Sequence, residues 1–490
     1  MALTRAQSKR KAAGDPIYTA PLARRRRKNK RQRTNIDDLP DELLLLIVAE
    51  VGEQGDYVAS LHALSVVKRQ FNRLTVPSLY SFIDFDEYSQ PAPSSFMRTL
   101  LESSHLAGLV RHLRWSANEQ HVKLEDVRPI IKTIRALHLP PRVDDQLILG
   151  AYQGHRDTLL AVKLCLMPRL ETFLVCTEDD IPLGAIPVYL EPLLHAARNM
   201  PFGKVHGFEH LSRVAIRYCT IQPAFVSALF KLPSLESLEL YGSEAVLVEF
   251  TKACLAAPTT LATWECPPYV SSVKRLGLSG TLPSEVVSIM ILSCSALHYL
   301  YFRGDIWLSM QPDWFRTVKT ALEAHSQNLR RVSFDEMETA YLPPSMIDIA
   351  GQLGRFISFP VLDTYAGPLA LPLLPSDVTS SFQLTALAQS LPPSIKHLLL
   401  EVTGNWDPHS LLDVHSSHAY KVFPRLERLY IRYMMLLLDS LPYALLDLVN
   451  YFANKSVEFS FVLDFSYARI LSGKWLYSNL SCQTRSDQLT

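Results

Sequence analysis

Leu235-Glu236-Ser237-Leu238-Glu239-Leu240 and, further on, Val273-Lys274-Arg275-Leu276-Gly277-Leu278 share one pattern: apolar, two residues, apolar, one residue, apolar. The same spacing returns at Leu170-Phe173-Val175, Leu211-Val214-Ile216, Leu297-Leu300-Phe302, Leu329-Val332-Phe334, Ile395-Leu398-Leu400 and Leu426-Leu429-Ile431. Val110-Leu113-Trp115 is a weaker copy, and Leu362-Tyr365-Gly367 a degraded one. The last two apolar positions are two residues apart, so they point to one face of a short strand. The first apolar position packs at the turn into that strand. Proline sits just upstream at Pro168, Pro233, Pro360, Pro393 and Pro424, where its fixed φ suits such a turn. Between copies run helix-like stretches. Pro283–Leu292 carries Val286, Val287, Ile289 and Met290, and Trp314–Leu322 carries Trp314, Val318, Ala321 and Leu322.

One strand and one helix per unit is the leucine-rich repeat plan. Copies start 24 to 60 residues apart, several gaps exceed the usual ~20–29 residues, and no asparagine ladder is present. The pattern therefore resembles the irregular repeats of fungal F-box proteins. It predicts an α/β solenoid, curved, with parallel strands on the inner face and helices outside. Residues between the buried pairs then project from the inner face. They include Arg213, Arg217, Arg275, Tyr299, Tyr301, Arg303, Arg331, Arg428, Tyr430 and Arg432. Arginine and tyrosine are favoured binding anchors, and arginine holds carboxylate or phosphate in bidentate fashion. These residues are the expected target-binding surface, and an acidic or phosphorylated protein segment is the expected target. Solvated strand ends are the alternative account of the same side chains.

Upstream of the repeats the chain changes character. Residues 1–35 hold twelve Lys or Arg against one acidic residue, Asp15, and the remainder holds 37 basic and 47 acidic residues. The net charge of +1 thus hides a basic tail on an acidic body. Within the tail, Arg24, Arg25, Arg26, Arg27, Lys28, Lys30, Arg31 and Arg33 form a run that repels itself and is expected to be disordered. It reads as a nuclear import signal, which implies a nuclear or nucleocytoplasmic protein. No aromatic residue interleaves with it, so base stacking on nucleic acid is not indicated.

Order is expected from Ile36. Leu39–Val51 reads LPDELLLLIVAEV. Pro40 suits a first helical turn, and Asp41 and Glu42 follow where the helix dipole favours acids. Leu43, Leu46, Ile47 and Val51 are the expected apolar stripe, and Gly52 and Gly55 the stop. Ser60–Ile83 follows, with Ser60 as a candidate N-cap and Leu61, Leu64, Val67, Phe71 and Leu74 at helical spacing. Pro77 is expected to end or bend that helix.

Residues 36–83 resemble an F-box. Leu39-Pro40, Glu42-Leu43, Ile47 and Val51 match its first half, and Val66–Leu74 with Pro77, Leu79 and Tyr80 its second, with Phe71 where many F-boxes carry Trp. The resemblance implies docking on a Skp-type adaptor, and through it on a cullin complex. The residues it designates are Leu39, Pro40, Leu43, Ile47, Leu64, Val67, Lys68 and Phe71, some as contacts and some as core of the small bundle. It also implies a non-catalytic role as substrate-recognition subunit of a ubiquitin ligase, raising the local concentration of a target lysine. A scaffold that binds the adaptor without promoting ubiquitin transfer, and a nuclear nucleic-acid-associated protein using the basic tail, are the other two classes. The expected organisation is a basic tail over 1–35, an F-box over 36–83, repeats over 84–465 and a polar, loose C-terminal segment over 466–490.

Other chemistry is not indicated. The seven cysteines form no CxxC pair, which with the absence of a secretory signal reads as reduced and intracellular. Gly203-Lys204 and Gly473-Lys474 lack the glycine-rich lead of a P-loop, and neither HExxH nor GxSxG occurs. Asp407, His409, Asp413, His415 and His418 match no zinc spacing, and Glu178-Asp179-Asp180 lacks the spaced ligands of a calcium loop. No cofactor, metal, membrane or nucleic-acid partner is expected.

Overall fold

The computed structural model describes residues 36, 39–52, 57–85, 93–117, 126–177, 187–217, 223–241, 264–280, 282–303, 313–335, 354–368, 387, 389–403, 423–434, 457–464 and 481–483. The basic run at 24–33, the Glu178–Asp180 triplet, the Asp407–His418 cluster and Gly473-Lys474 lie outside them. The chain divides into two compact units, Met1–Thr75 and Val76–Thr490.

The second unit is α/β. Its strands are β1 (Phe82–Phe85), β2 (His112–Ala117), β3 (Thr172–Thr177), β4 (Arg213–Arg217), β5 (Ser237–Tyr241), β6 (Arg275–Ser279), β7 (Tyr299–Arg303), β8 (Arg331–Asp335), β9 (Thr364–Pro368), β10 (His397–Thr403), β11 (Arg428–Met434), β12 (Glu458–Asp464) and β13 (Ser481–Gln483). They form one open thirteen-stranded sheet in strict chain order. Neighbours from β1 to β12 are parallel, and β13 closes the series antiparallel to β12.

Every quoted motif copy falls on a strand, and all copies are in register. Leu113, Phe173, Val214, Leu238, Leu276, Leu300, Val332 and Tyr365 pair one to the next, and Leu398 and Leu429 continue the row. All ten are buried and belong to one continuous core. The spacing between copies differs with the helices that the described residues show in the gaps. The long gap between β2 and β3 holds three helices, Arg128–Ala136, Pro141–Gln153 and Arg156–Leu166, whereas Pro223–Leu229 is the helix between β4 and β5. The two expected helical stretches are helices Ser284–Ser293 and Trp314–Glu323, with Val286, Val287, Met290, Trp314, Val318, Ala321 and Leu322 in the core. In the degraded copy, glycine replaces an apolar residue for lack of room. A Cβ on Gly367, at φ +146°, would lie 2.9 Å from the Phe334 carbonyl oxygen.

Backbone and short polar side chains join successive motif copies. At the second motif position one carbonyl accepts two successive N–H groups of the next copy: Ser237 and Glu236 donate to Ser212 O, Arg275 and Lys274 to Glu236 O, and Tyr299 and His298 to Lys274 O. Serine takes the place of the missing asparagine ladder. Ser234 Oγ donates to Leu211 O at 3.1 Å, Ser272 Oγ to Leu235 O at 2.8 Å and Ser394 Oγ to Leu362 O at 2.7 Å. Two histidines bridge in the same manner. His325 Nδ1 accepts from Leu297 N–H at 3.4 Å, and Nε2 lies 2.9 Å from Ile291 O, as a donor in that tautomer. His206 repeats this with Phe208 N–H at 3.4 Å and Leu164 O at 3.0 Å.

The first unit holds helices α1 (Asp41–Gly52) and α2 (Tyr57–Val67) and the N-terminal part of α3 (Arg69–Ser81), whose last residues belong to the second. Its core is small: Leu44, Phe71 and Leu74 pack together with Leu39, Ile47 and Leu64 against them, and Val48 and Leu61 are buried as well. Asp41 ties α1 to α3 by accepting from Gln70 Nε2 at 3.0 Å and from Arg73. The Gln70 hydrogen bond, with Arg73 adding to it, lowers the Asp41 pKa. Three expectations are corrected. The buried stripe of α1 runs through Leu44 and Val48, not Leu43 and Leu46, because the run LLLLIV is apolar on every side and its periodicity has no phase. Ser60 lies inside α2, which starts at Tyr57. The break comes at Lys68, and α3 continues through Pro77 to Ser81. Near that proline the buried Thr75 hydroxyl donates to Phe71 O at 2.8 Å.

Two measurements check this packing. Leu276→Ala, at the centre of the ladder, removes a buried side chain and is expected to cost about 2–5 kcal/mol in urea unfolding. Burial lowers the pKa of His206 and His325 below the ordinary 6.5. As pH falls past 6.5 the unfolded chain therefore takes up protons that the folded chain refuses. Stability is full above that value and declines on acidification, and the urea midpoint should drop from pH 7.5 to 5.5. His206→Gln/His325→Gln should flatten that dependence; an unchanged slope would contradict the bridging role.

Candidate functional site

Two surfaces carry the sequence-designated residues, one on each unit. On the first unit the designated set separates by burial. Phe71 is core, and Leu39, Ile47 and Leu64 are half-buried against it. Pro40, Leu43, Val67 and Lys68 are exposed. Beside them stand exposed apolar side chains the pattern did not designate: Leu45, Leu46 (65 % exposed), Val58 and Val66 (71 %). Among the described residues of this unit few side chains are buried and these stand exposed, which leaves an apolar surface on α1 and α2. Its signal in the sequence was the unbroken run of Leu43–Val48, too apolar for a helix with one buried stripe.

On the second unit, alternation along each strand sends one set of side chains to the core and the other to the opposite face of the sheet. On β4 to β8 that second face carries an open depression of about 560 Å³. Six of the ten designated residues line it: Arg213, Arg217, Arg275, Tyr299, Tyr301 and Arg331. Arg303 sits at the end of β7, in register with Ser279 and Asp335, and is not among the lining residues. Arg428, Tyr430 and Arg432 are on β11, three strands beyond β8. Two of these are engaged locally: Arg428 pairs with Glu458 at 2.7 Å, and Arg432 with the buried Glu401 at 3.2 Å.

Glu239, Tyr241 and Gly277 also line the depression and were missed. They occupy the same alternate strand positions as the designated residues, so the motif's own spacing would have found them. Selection by residue type passed over them. Arg213 donates to Glu239 Oε1 at 2.6 and 3.0 Å, and Tyr241 Oη donates to Glu239 Oε2 at 3.1 Å. Burial, and then the Glu239 carboxylate, push the Tyr241 phenol up to about 12. The Arg217 guanidinium lies 5.0 Å from the Tyr241 ring centre, and that of Arg275 5.1 Å from Tyr299. A guanidinium over an aromatic face is attracted by the negative face of the ring.

Among the described residues no three His, Cys, Asp or Glu side chains are placed to hold a metal ion, and no helix is long and apolar enough to cross a membrane. Comparison with known protein families and with curated proteins finds no match to this chain.

Glu239→Gln removes the negative charge beside Tyr241. Its phenol should then ionise at lower pH, short of the ordinary value of 10 because burial acts first. A tyrosine ring-carbon NMR titration, with Tyr241→Phe assigning the resonance, reads this. An unchanged titration would contradict the Glu239–Tyr241 contact.

Proposed function

We propose that this protein is the substrate-recognition subunit of a Skp–cullin–F-box ubiquitin ligase. In this reading residues 36–83 are an F-box that docks on a Skp-type adaptor. The sheet is the inner face of a curved, irregular leucine-rich repeat array that holds the target protein. The protein performs no chemistry and acts by position, and the basic run directs it to the nucleus. The observation that carries the reading is the apolar surface of α1 and α2, lying on the residues whose order resembles an F-box. A helical unit this small needs a partner to cover such a surface. The arginine- and tyrosine-rich sheet face supports the target half of the reading, since these residue types dominate binding hot spots.

The test is a pull-down of the full chain with a purified Skp-type adaptor, beside Leu46→Glu/Val67→Glu. Both positions are exposed, so the variant should keep its helical circular dichroism. Burying two carboxylates in an apolar interface is expected to weaken binding by ~100-fold or more. A folded wild type that does not bind the adaptor sinks the proposal. Adaptor binding without turnover of captured targets selects the scaffold role instead.

A further inference from the structure

The register gathers the depression into three rows across the sheet. Arg213, Ser237, Arg275, Tyr299 and Arg331 form the first, and Ala215, Glu239, Gly277, Tyr301 and Ser333 the second. Arg217, Tyr241, Ser279 and Arg303 begin the third. Gly277 is at the centre, and its missing side chain makes the hollow. Glu239 lies across it: a Cβ on residue 277 would stand 3.0 Å from Glu239 Cγ and 3.4 Å from Tyr241 Oη.

Four guanidiniums thus face one carboxylate. Arg213 and Tyr241 hold that carboxylate. Among the described residues Arg217, Arg275 and Arg331 form no salt bridge, although Arg275 is near enough to Glu236 to help lower its pKa, and Arg217 Nε is buried without a hydrogen-bond acceptor. The rings of Tyr241 and Tyr299 are already faced by Arg217 and Arg275, so the hollow is not built to receive a cation.

We propose that this hollow binds a phosphomonoester on a target peptide segment, with Glu239 as a resident carboxylate that the phosphate displaces from Arg213. The proposal rests on reading the sheet face as the target surface. Selectivity follows from the resident group. A glutamate or aspartate of the target brings the same charge and the same two oxygens as Glu239, so exchange gains little. A phosphate brings close to two negative charges and three acceptor oxygens, enough for Arg213 and for the guanidiniums of Arg217 and Arg275 that line the hollow. Glu239 therefore sets a threshold that admits phosphate and turns carboxylate away.

The probes are immobilised degenerate peptide pools with the central residue fixed as phosphoserine, phosphotyrosine, serine, glutamate or lysine. The full chain should be retained on both phosphorylated pools ~10-fold or more above the serine, glutamate and lysine pools, a difference of the size set by charge-assisted bidentate contacts. Arg217→Ala/Arg275→Ala, with its melting transition checked, should lose that preference. Glu239→Gln should bind the phosphorylated pools more tightly and begin to retain the glutamate pool. Equal retention of the glutamate and phosphorylated pools by wild type would overturn the proposal. So would failure to retain the phosphorylated pools, or retention that survives the double arginine variant. Adaptor pull-down on the same preparation keeps the two readings apart: phosphopeptide binding without adaptor binding leaves this site and removes the ligase role, and the converse leaves the role and removes the site.

Discussion

The structure depends on the register of its parallel ladder. A slip of one residue in any strand would turn Leu276 or Leu300 out of the core and Arg275 or Tyr301 into it. The point that fixes register is the second motif position, where two successive N–H groups share a single carbonyl of the preceding strand. Because that device is backbone, it tolerates any side chain there. Opposite charges at the same position reinforce the alignment: Lys274 pairs with Glu236 at 2.6 Å, and Lys396 with Glu427 at 2.9 Å. Being exposed, such pairs contribute little stability. Their effect is to disfavour a shifted partner.

A backbone device of this kind explains how repeats of unequal length share one sheet. A regular asparagine ladder needs the same turn in every repeat. Here the connections differ: among the described residues one helix lies between β4 and β5 and three lie between β2 and β3. The buried polar groups of each turn are met by whatever short donor fits. Ser272 reaches Leu235 O, Ser394 reaches Leu362 O, and where the turn lies deeper a histidine bridges an N–H and a C=O together. Satisfying these groups is obligatory once they are buried, but which residue does so is free.

The same logic decides what was legible in the sequence. The strands were, because the apolar triplet is a period-2 signal tied to one face and recurs ten times. Lining residues such as Arg213, Arg217 and Tyr299 followed from that period. Glu239 and Gly277 obey the same spacing, and were lost only when residue type was allowed to select among positions. The α1 stripe was not legible, since in Leu43–Val48 every face is apolar and packing alone chooses Leu44 and Val48. Pro77 was misleading for a different reason. A proline forbids one backbone hydrogen bond but does not forbid the helix when neighbours hold it, and Phe71 and Leu74 anchor α3 on its N-terminal side.

Burial then separates the two units by what each leaves uncovered. In the sheet unit one continuous core holds most of the strand and helix apolar side chains, exposed ones such as Leu149 and Val270 lie outside the depression, and the depression itself is lined mainly by arginine and tyrosine around Glu239. Such a face is stable in water as it stands, and it gains by meeting acceptors. In the helical unit the buried apolar side chains are few, Leu44, Val48, Leu61, Phe71 and Leu74 among the described residues, and other leucines and valines stand in solvent. That surface gains by being covered. One chain thus presents a polar surface suited to discriminating among ligands by charge and an apolar surface suited to lasting attachment, a division of labour that the proposed role would use.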